Sequence, residues 1–207
     1  MSNEDPPLAL QVAGAAGPAS HAGQLDAASN DSCNAADSWY EQRKRAILMG
    51  ILPRPKFKAA YEPGCGNGEL TLILASRCER LLASDFCAQA VDTARERTAH
   101  LPQVSVRREC LPEQWPSLSP TSCEFDLVVL SELCYYFDAM QLIEVSALAV
   151  ASLAPGGHLL ACHWKSEFDD RLQPTRSMHR LLDRNGRLRH RACYEDDDFL
   201  LDLWEKH

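Results

Sequence analysis

Apolar positions along this chain alternate between two spacings. Short β-branched or apolar runs stand at Phe57–Tyr61, Arg80–Ser84, Val104–Arg107 and Phe125–Ser131. Between them, about Asn67–Ser76, Ala88–Ala99 and Ala139–Ser152, apolar residues recur every three or four positions. Strands that take turns with helices in this way predict a parallel sheet covered by helices on both faces. Phe125-Asp-Leu-Val-Val-Leu-Ser131 reads most clearly, because an uninterrupted apolar, β-branched run is what a central strand buried on both sides needs. Upstream, Asp37–Leu52 predicts a helix with Ile47, Leu48, Ile51 and Leu52 on one face, stopped by Pro53 and Pro55. Downstream, Leu153–Gly157 predicts a turn that feeds a fifth strand ending at His163-Trp164, and Thr175–Arg184 a helix halted by Asn185-Gly186. Leu188–Tyr194 and Asp198–Trp204 predict a closing antiparallel pair joined by the acidic Glu195–Asp198. Seven strands result, mostly parallel.

Residues 1–36 lack both spacings. They are rich in Ala, Gly, Ser, Asn and Pro and contain no Lys or Arg, so they read as a disordered tail, with the folded domain at 37–207. Without a basic segment before Leu8–Val12, this stretch does not read as a secretory signal, and no run approaches the length of a membrane span. The formal net charge of −8, from 21 Lys and Arg against 29 Asp and Glu, argues against a nucleic-acid backbone as partner. The nine cysteines form no C-x-x-C pair. They read as reduced, cytoplasmic, small apolar residues, with neither a disulfide frame nor a structural metal. No oligomeric state follows from the sequence.

Chemistry concentrates at Ala60-Tyr-Glu-Pro-Gly-Cys-Gly-Asn-Gly-Glu-Leu70, the end of a strand, a glycine loop and the start of a helix. Gly64, Gly66 and Gly68 permit positive φ and a close approach of backbone to a ligand. A helix opening near Asn67 turns free N–H groups toward the same loop. Asp85, at the tip of the second strand and nineteen positions after Gly66, is placed to take two ribose hydroxyls. The fold expected is therefore Rossmann-like and the ligand a nucleoside cofactor. The third glycine comes one position earlier than in the dinucleotide fingerprint, which argues against a nicotinamide or flavin dehydrogenase. Glu62 before the loop suits a ligand carrying an amino group and a sulfonium better than a pyrophosphate.

The string Glu62–Leu70 resembles the first motif of class I S-adenosylmethionine-dependent methyltransferases. More narrowly, the chain resembles the NodS family of nodulation methyltransferases. The matching stretches are Tyr40-Glu with the basic run Arg43–Arg45, Glu62-Pro-Gly-Cys, Arg77-Cys-Glu-Arg-Leu and Ser131-Glu-Leu-Cys-Tyr-Tyr136. Leu153-Ala-Pro-Gly-Gly-His-Leu159 matches too, although many methyltransferases share it. The resemblance covers about Asp37–Trp164 and is weaker in the C-terminal third. It implies S-adenosyl-L-methionine as cofactor, held by Tyr40, Arg43, Glu62, Gly64, Gly66, Gly68, Asp85, Phe86, Cys110, Leu111 and Ser131. Related enzymes usually carry an Asp for the adenine amino group where this chain has Cys110, with Glu109 beside it, so backbone amides and Leu111 packing take that role in the expectation. Family membership would imply N-methylation of the free amine of a deacetylated glucosamine unit in an oligosaccharide or related glycan.

Within that frame Glu132, Tyr135 and Tyr136 follow the fourth strand and should face the transferred methyl group. Glu132 is the first candidate to orient the acceptor amine and take its proton, and His163 the second. Tyr135 and Tyr136 would shape the acceptor pocket and favour a sulfonium through their ring faces. Plainer readings stand beside these. Glu132 can serve to cap the next helix, His163 can be a satisfied strand-end histidine, and Trp39, Tyr40 and Arg43 can pack on the sheet edge without touching a ligand. Methylation of another small-molecule O, S or N acceptor, and cofactor binding without catalysis, are the competing functions.

Overall fold

The computed structural model describes residues 39–116 and 125–207. The tail expected over 1–36 lies outside those residues. The described chain runs α1 (Trp39–Ile51), β1 (Ala60–Pro63), α2 (Glu69–Leu74), β2 (Leu81–Asp85), α3 (Ala88–Thr98), β3 (Val104–Arg108) and β4 (Phe125–Ser131). It continues through α4 (Ala139–Ser152), β5 (Leu153–Trp164), α5 (Thr175–Asp183), β6 (Leu188–Glu195) and β7 (Phe199–Lys206). The strands form one seven-stranded sheet in the order β3-β2-β1-β4-β5-β7-β6. Its first five strands pair in parallel, and β7 joins β5 and β6 antiparallel, as the closing hairpin predicts.

Period-two alternation divides the central strands between two cores. Leu127, Val129, Leu160 and Cys162 face a layer formed with Leu48 of α1 and Leu70 and Leu74 of α2. Val128, Leu130, Leu159 and Ala161 face the opposite layer, with Leu142, Val145 and Ala149 of α4 and Met178 and Leu182 of α5. Leu127 to Leu130 are all fully buried, so each of these four side chains contributes roughly 1.5–3 kcal/mol of hydrophobic stabilisation. Helix α4 begins where Asp138 accepts from the amides of Met140 and Gln141 while Gln141 reaches back to the Asp138 amide, a reciprocal cap. Asp126 joins β4 to β1 by accepting from the amides of Lys58 and Ala59, both at 2.9 Å.

Of the element boundaries that differ from expectation, three have a visible cause. The first strand starts at Ala60, because Phe57 makes only an isolated bridge to Cys78. The helix after the glycine loop starts at Glu69 and tightens into a 3₁₀ turn at Ala75–Arg77, since Gly68 occupies a left-handed conformation that holds off the helix. The fifth strand begins at Leu153 rather than after the Pro-Gly-Gly turn. A register shift between Phe125 and Leu127 lets Leu153 pair with Phe125 before regular pairing resumes at His158.

Candidate functional site

Two groups of side chains meet outside the carboxyl ends of β1, β2, β4 and β5, the place where open α/β sheets bind ligands. The first is built by one contiguous stretch. β1 ends at Glu62-Pro63, and the amides of Gly64 and Cys65 both donate to the Ser84 carbonyl on β2, at 2.7 and 2.9 Å. Gly64, Gly66 and Gly68 then have φ of 72°, 51° and 81°. At Gly68 a side chain would also sit 2.9 Å from the Ala94 Cβ of α3, so glycine is what lets α2 and α3 approach. At Gly64 a Cβ would sit 2.8 Å from the Leu133 side chain, which places the loop directly against the segment after β4.

Asp85 braces this loop. Its Oδ2 accepts from the Gly66 amide and its Oδ1 from the Cys87 amide, both at 2.9 Å. Together these two amides fix the direction of the carboxylate. Glu62 differs. It is 2% exposed, and its Oε2 is buried without a hydrogen-bond partner. Burial pushes its carboxyl up to about 8 and the Asp85 charge adds to the rise; the neighbouring Thr71 hydroxyl, itself buried without a hydrogen-bond partner, acts the other way. A buried carboxyl with an unfilled acceptor is costly unless a donor reaches it. A ligand ammonium is such a donor. The residues present thus fit a nucleoside cofactor that carries both ribose hydroxyls and a cationic amine.

Phe86, Cys110 and Leu111 follow the carboxyl ends of β2 and β3. The Phe86 carbonyl accepts from Arg108 at 3.0 Å. Cys110 is exposed, and its amide donates to the Gln114 side chain at 2.6 Å, so the loop itself uses the amide that was expected to face a ring. Leu111 packs half-buried against the α4-side core.

The second group is assembled from distant parts of the chain around Glu132. This residue follows Ser131, the half-buried end of β4, and has φ of 52°. Outside glycine such a conformation costs of order 1–3 kcal/mol and persists only where the surroundings enforce it. Here three donors do so. Lys44 on α1 reaches Oε1 at 2.8 Å, while the Tyr135 hydroxyl and the Trp164 amide reach Oε2 at 2.5 and 3.1 Å. Lys44 is 4% exposed and also bonds Glu41 at 2.6 Å; burial works against its charge, but the two carboxylates outweigh burial and raise its pKa. The Tyr135 hydroxyl is pushed well up by burial, then by the Glu132 charge. Burial and Glu132 likewise raise Tyr136, whose ring lies half-buried against Tyr135 and Phe168. Glu132 does not cap α4, a role that falls to Asp138.

The remaining candidates separate. The Tyr40 hydroxyl is buried without a partner near this carboxylate, and Lys44 lies over its ring at 4.9 Å. Burial first and Glu132 second raise its pKa. Arg43 turns to the β6–β7 hairpin instead, donating to Tyr194, Asp196 and Asp198 at 3.1, 2.5 and 2.9 Å. It therefore fastens α1 to the hairpin. His163 is fully buried, with Nε2 accepting from the Cys134 amide at 3.1 Å and Nδ1 bonded to His179 at 3.0 Å. Both ring nitrogens are occupied within the protein, which fits the satisfied strand-end histidine and not a base facing substrate. Sequence reasoning missed Lys44, which lies 88 positions from Glu132, and no local pattern announces a contact of that range. Among the described residues no group of three or more His, Cys, Asp or Glu side chains is arranged to hold a metal ion, and no helix is long and apolar enough to cross a membrane.

The family model described as "Nodulation protein S (NodS)" matches residues 21–167. Nodulation protein S of Rhizobium tropici is 31% identical over 143 residues, covering 63% of this chain and 56% of that protein. The chain spans little more than half the length of the curated relatives it matches, 56–57%. A solved structure from Pseudomonas syringae, provisionally named a methyltransferase, is 41% identical, with a TM-score of 0.71 over 82% of this chain and all of that one. The N-methyltransferase NodS of Bradyrhizobium japonicum WM9, solved with S-adenosyl-L-homocysteine, shares the fold at 24% identity, with a TM-score of 0.71 over 82% of this chain and 89% of that one.

Proposed function

The chain belongs to the nodulation protein S (NodS) family, and from that premise we propose that it is an S-adenosylmethionine-dependent methyltransferase acting on the free amine of a glucosamine-containing oligosaccharide. The observation that carries the cofactor assignment is the buried Glu62 carboxyl, one oxygen short of a donor, beside a positive-φ glycine loop braced by Asp85. Glu62 would take the cofactor's amine, Asp85 its ribose hydroxyls, and the Gly64–Gly68 backbone the chain between them. When bound, S-adenosylmethionine supplies a methyl group made electrophilic by its sulfonium.

Transfer to an amine asks the protein chiefly for alignment and exclusion of water. Glu132 is the residue built for alignment. Oε2 already accepts from Tyr135 and Trp164, whereas Oε1 accepts from Lys44 alone and keeps one acceptor position for an amine N–H. Held there, the nitrogen lone pair can be aimed at the reacting carbon, and the anionic carboxylate favours the positive charge that develops on nitrogen. The orphaned Tyr40 hydroxyl and the half-buried Tyr136 ring, both close enough to feel the Glu132 charge, would line the acceptor position. The amino-sugar acceptor is what the family resemblance implies; a solved neighbour named as an N-methyltransferase supports nitrogen as the acceptor atom, and the lone acceptor position on Glu132 suits an N–H donor.

The test is direct. The protein is incubated with S-adenosylmethionine and glucosamine oligomers, acetylated or deacetylated, and methylated sugar and S-adenosylhomocysteine are read together by mass spectrometry. Methylation confined to free-amine sugars supports the proposal. Equal methylation of acetylated oligomers, or of none, overturns the acceptor assignment while leaving the cofactor assignment to be judged by binding.

A further inference from the structure

Behind the Glu132 segment lies a file of hydrogen bonds that the methyl-transfer chemistry does not use. The Cys134 amide meets His163 Nε2 at 3.1 Å, and His163 Nδ1 meets His179 Nε2 at 3.0 Å. His179 Nδ1 meets Asp202 Oδ2 at 2.7 Å, and Asp202 Oδ1 meets His190 Nε2 at 2.6 Å. His163, His179 and Asp202 are buried, while His190 lies at the surface end with its side chain 40% exposed.

The direction of every proton in this file follows from its two ends. A backbone amide can only donate, so His163 Nε2 carries no proton and accepts. A neutral imidazole then has its proton on Nδ1, which donates to His179 Nε2. That nitrogen must also be bare, so His179 carries its proton on Nδ1 and donates to Asp202. An imidazolium at His179 would set N–H against N–H across the 3.0 Å contact. Asp202 thus polarises the whole file, and the effect emerges as an acceptor under the Cys134 amide.

That amide belongs to the 3₁₀ turn Cys134–Tyr136. One residue later the Tyr135 hydroxyl bonds Glu132, and the Tyr135 ring packs edge-on to His163 at 5.5 Å. We propose that His163, His179 and Asp202 are positioning residues for the acceptor site: a buried His–His–Asp file fixes the tautomer of His163, and through the Cys134 amide sets the Glu132–Tyr135 pair. This rests on the reading of Glu132 as the acceptor-orienting group. None of the three residues touches substrate or cofactor. As for histidines that ligate metals, the hydrogen bond on one ring nitrogen decides which nitrogen is available on the other side.

The experiment has one arm that does not depend on turnover. Two-dimensional ¹⁵N NMR of histidine-labelled wild-type protein should show His163 protonated at Nδ1 and bare at Nε2, and His179 in the same tautomer. A proton on His163 Nε2 overturns the proposal. For the kinetic arm, His163→Leu and His179→Phe should each lower kcat at least tenfold and change S-adenosylhomocysteine affinity less than twofold. His163→Gln, whose amide oxygen can accept from the Cys134 amide, should recover most of the loss. Unchanged kcat in both apolar variants, or no recovery with Gln in a folded protein, overturns it as well. If wild-type protein methylates no acceptor, the catalytic reading fails. The tautomers in NMR then judge the file on its own.

Discussion

The glycine-loop end of the cleft and the Glu132 end are built by opposite means. From Glu62 to Leu70 the structure follows from adjacent residues: positive-φ glycines, a strand end before them and a short helix after. One distant side chain, Asp85, is enough to brace it. The Glu132 end has almost no local logic. Its backbone sits in a left-handed conformation, and donors from α1, the 3₁₀ turn and β5 hold its carboxylate. A site made of backbone accepts one chemical shape and changes little. A site made of side chains gathered from several elements can be altered one partner at a time, which suits the end proposed to orient the acceptor.

If the two ends work separately, variants should divide them. Glu132→Gln should have the largest effect, a loss of about 100-fold in kcat, or roughly 2.7 kcal/mol of barrier. Cofactor affinity by calorimetry should stay within twofold, and equal losses in both would make Glu132 a cofactor ligand and erase the division. Gly64→Ala is the variant that should cross it. The positive φ and the 2.8 Å approach to Leu133 should together cost about 2–3 kcal/mol in a denaturant titration and disturb both affinity and turnover. Asp85→Ala should weaken S-adenosylmethionine binding by about 1–3 kcal/mol, with turnover at saturating cofactor far less affected. The smallest effect belongs to Arg43→Gln. Because this guanidinium binds the hairpin, cofactor affinity should remain within twofold, and a large loss in the same titration would return Arg43 to the cofactor site.

The same contrast explains what was legible in the sequence. Glycines at alternate positions after an apolar run and an acid at the next strand tip are contiguous signals, so the positive-φ loop and its Asp85 brace could be read residue by residue. Strand and helix order followed from hydrophobic period, and the antiparallel close followed from the acidic turn at Glu195–Asp198. Glu132 and Tyr135 could be singled out by position, but not Lys44, whose contact depends on how α1 lies across the sheet. Arg43 was equally ambiguous: one residue away from Lys44 on the same helix, it faces Asp196 and Asp198, more than 150 positions on. His163 stood at the correct strand end for a base. Strand alternation turned its ring into the α5-side core toward His179, and only the partners there reveal that both nitrogens are occupied.

Glu62 gives the most direct test of the cofactor assignment. Its folded carboxyl holds a proton up to about 8, above the ordinary 4.5. In the ligand-free protein this contribution to stability is full below about 4.5 and is lost as pH rises through 8. A cofactor ammonium reverses the preference, because it pairs with the carboxylate and expels that proton. Calorimetric titration with S-adenosylhomocysteine between pH 6 and 8.5 should therefore show proton release at the acid end and affinity rising by up to about tenfold per pH unit, levelling above 8. Glu62→Gln should flatten the profile. Wild-type affinity that does not change with pH, or no binding at any pH, would contradict the placement of the cofactor amine on Glu62 and with it the central claim.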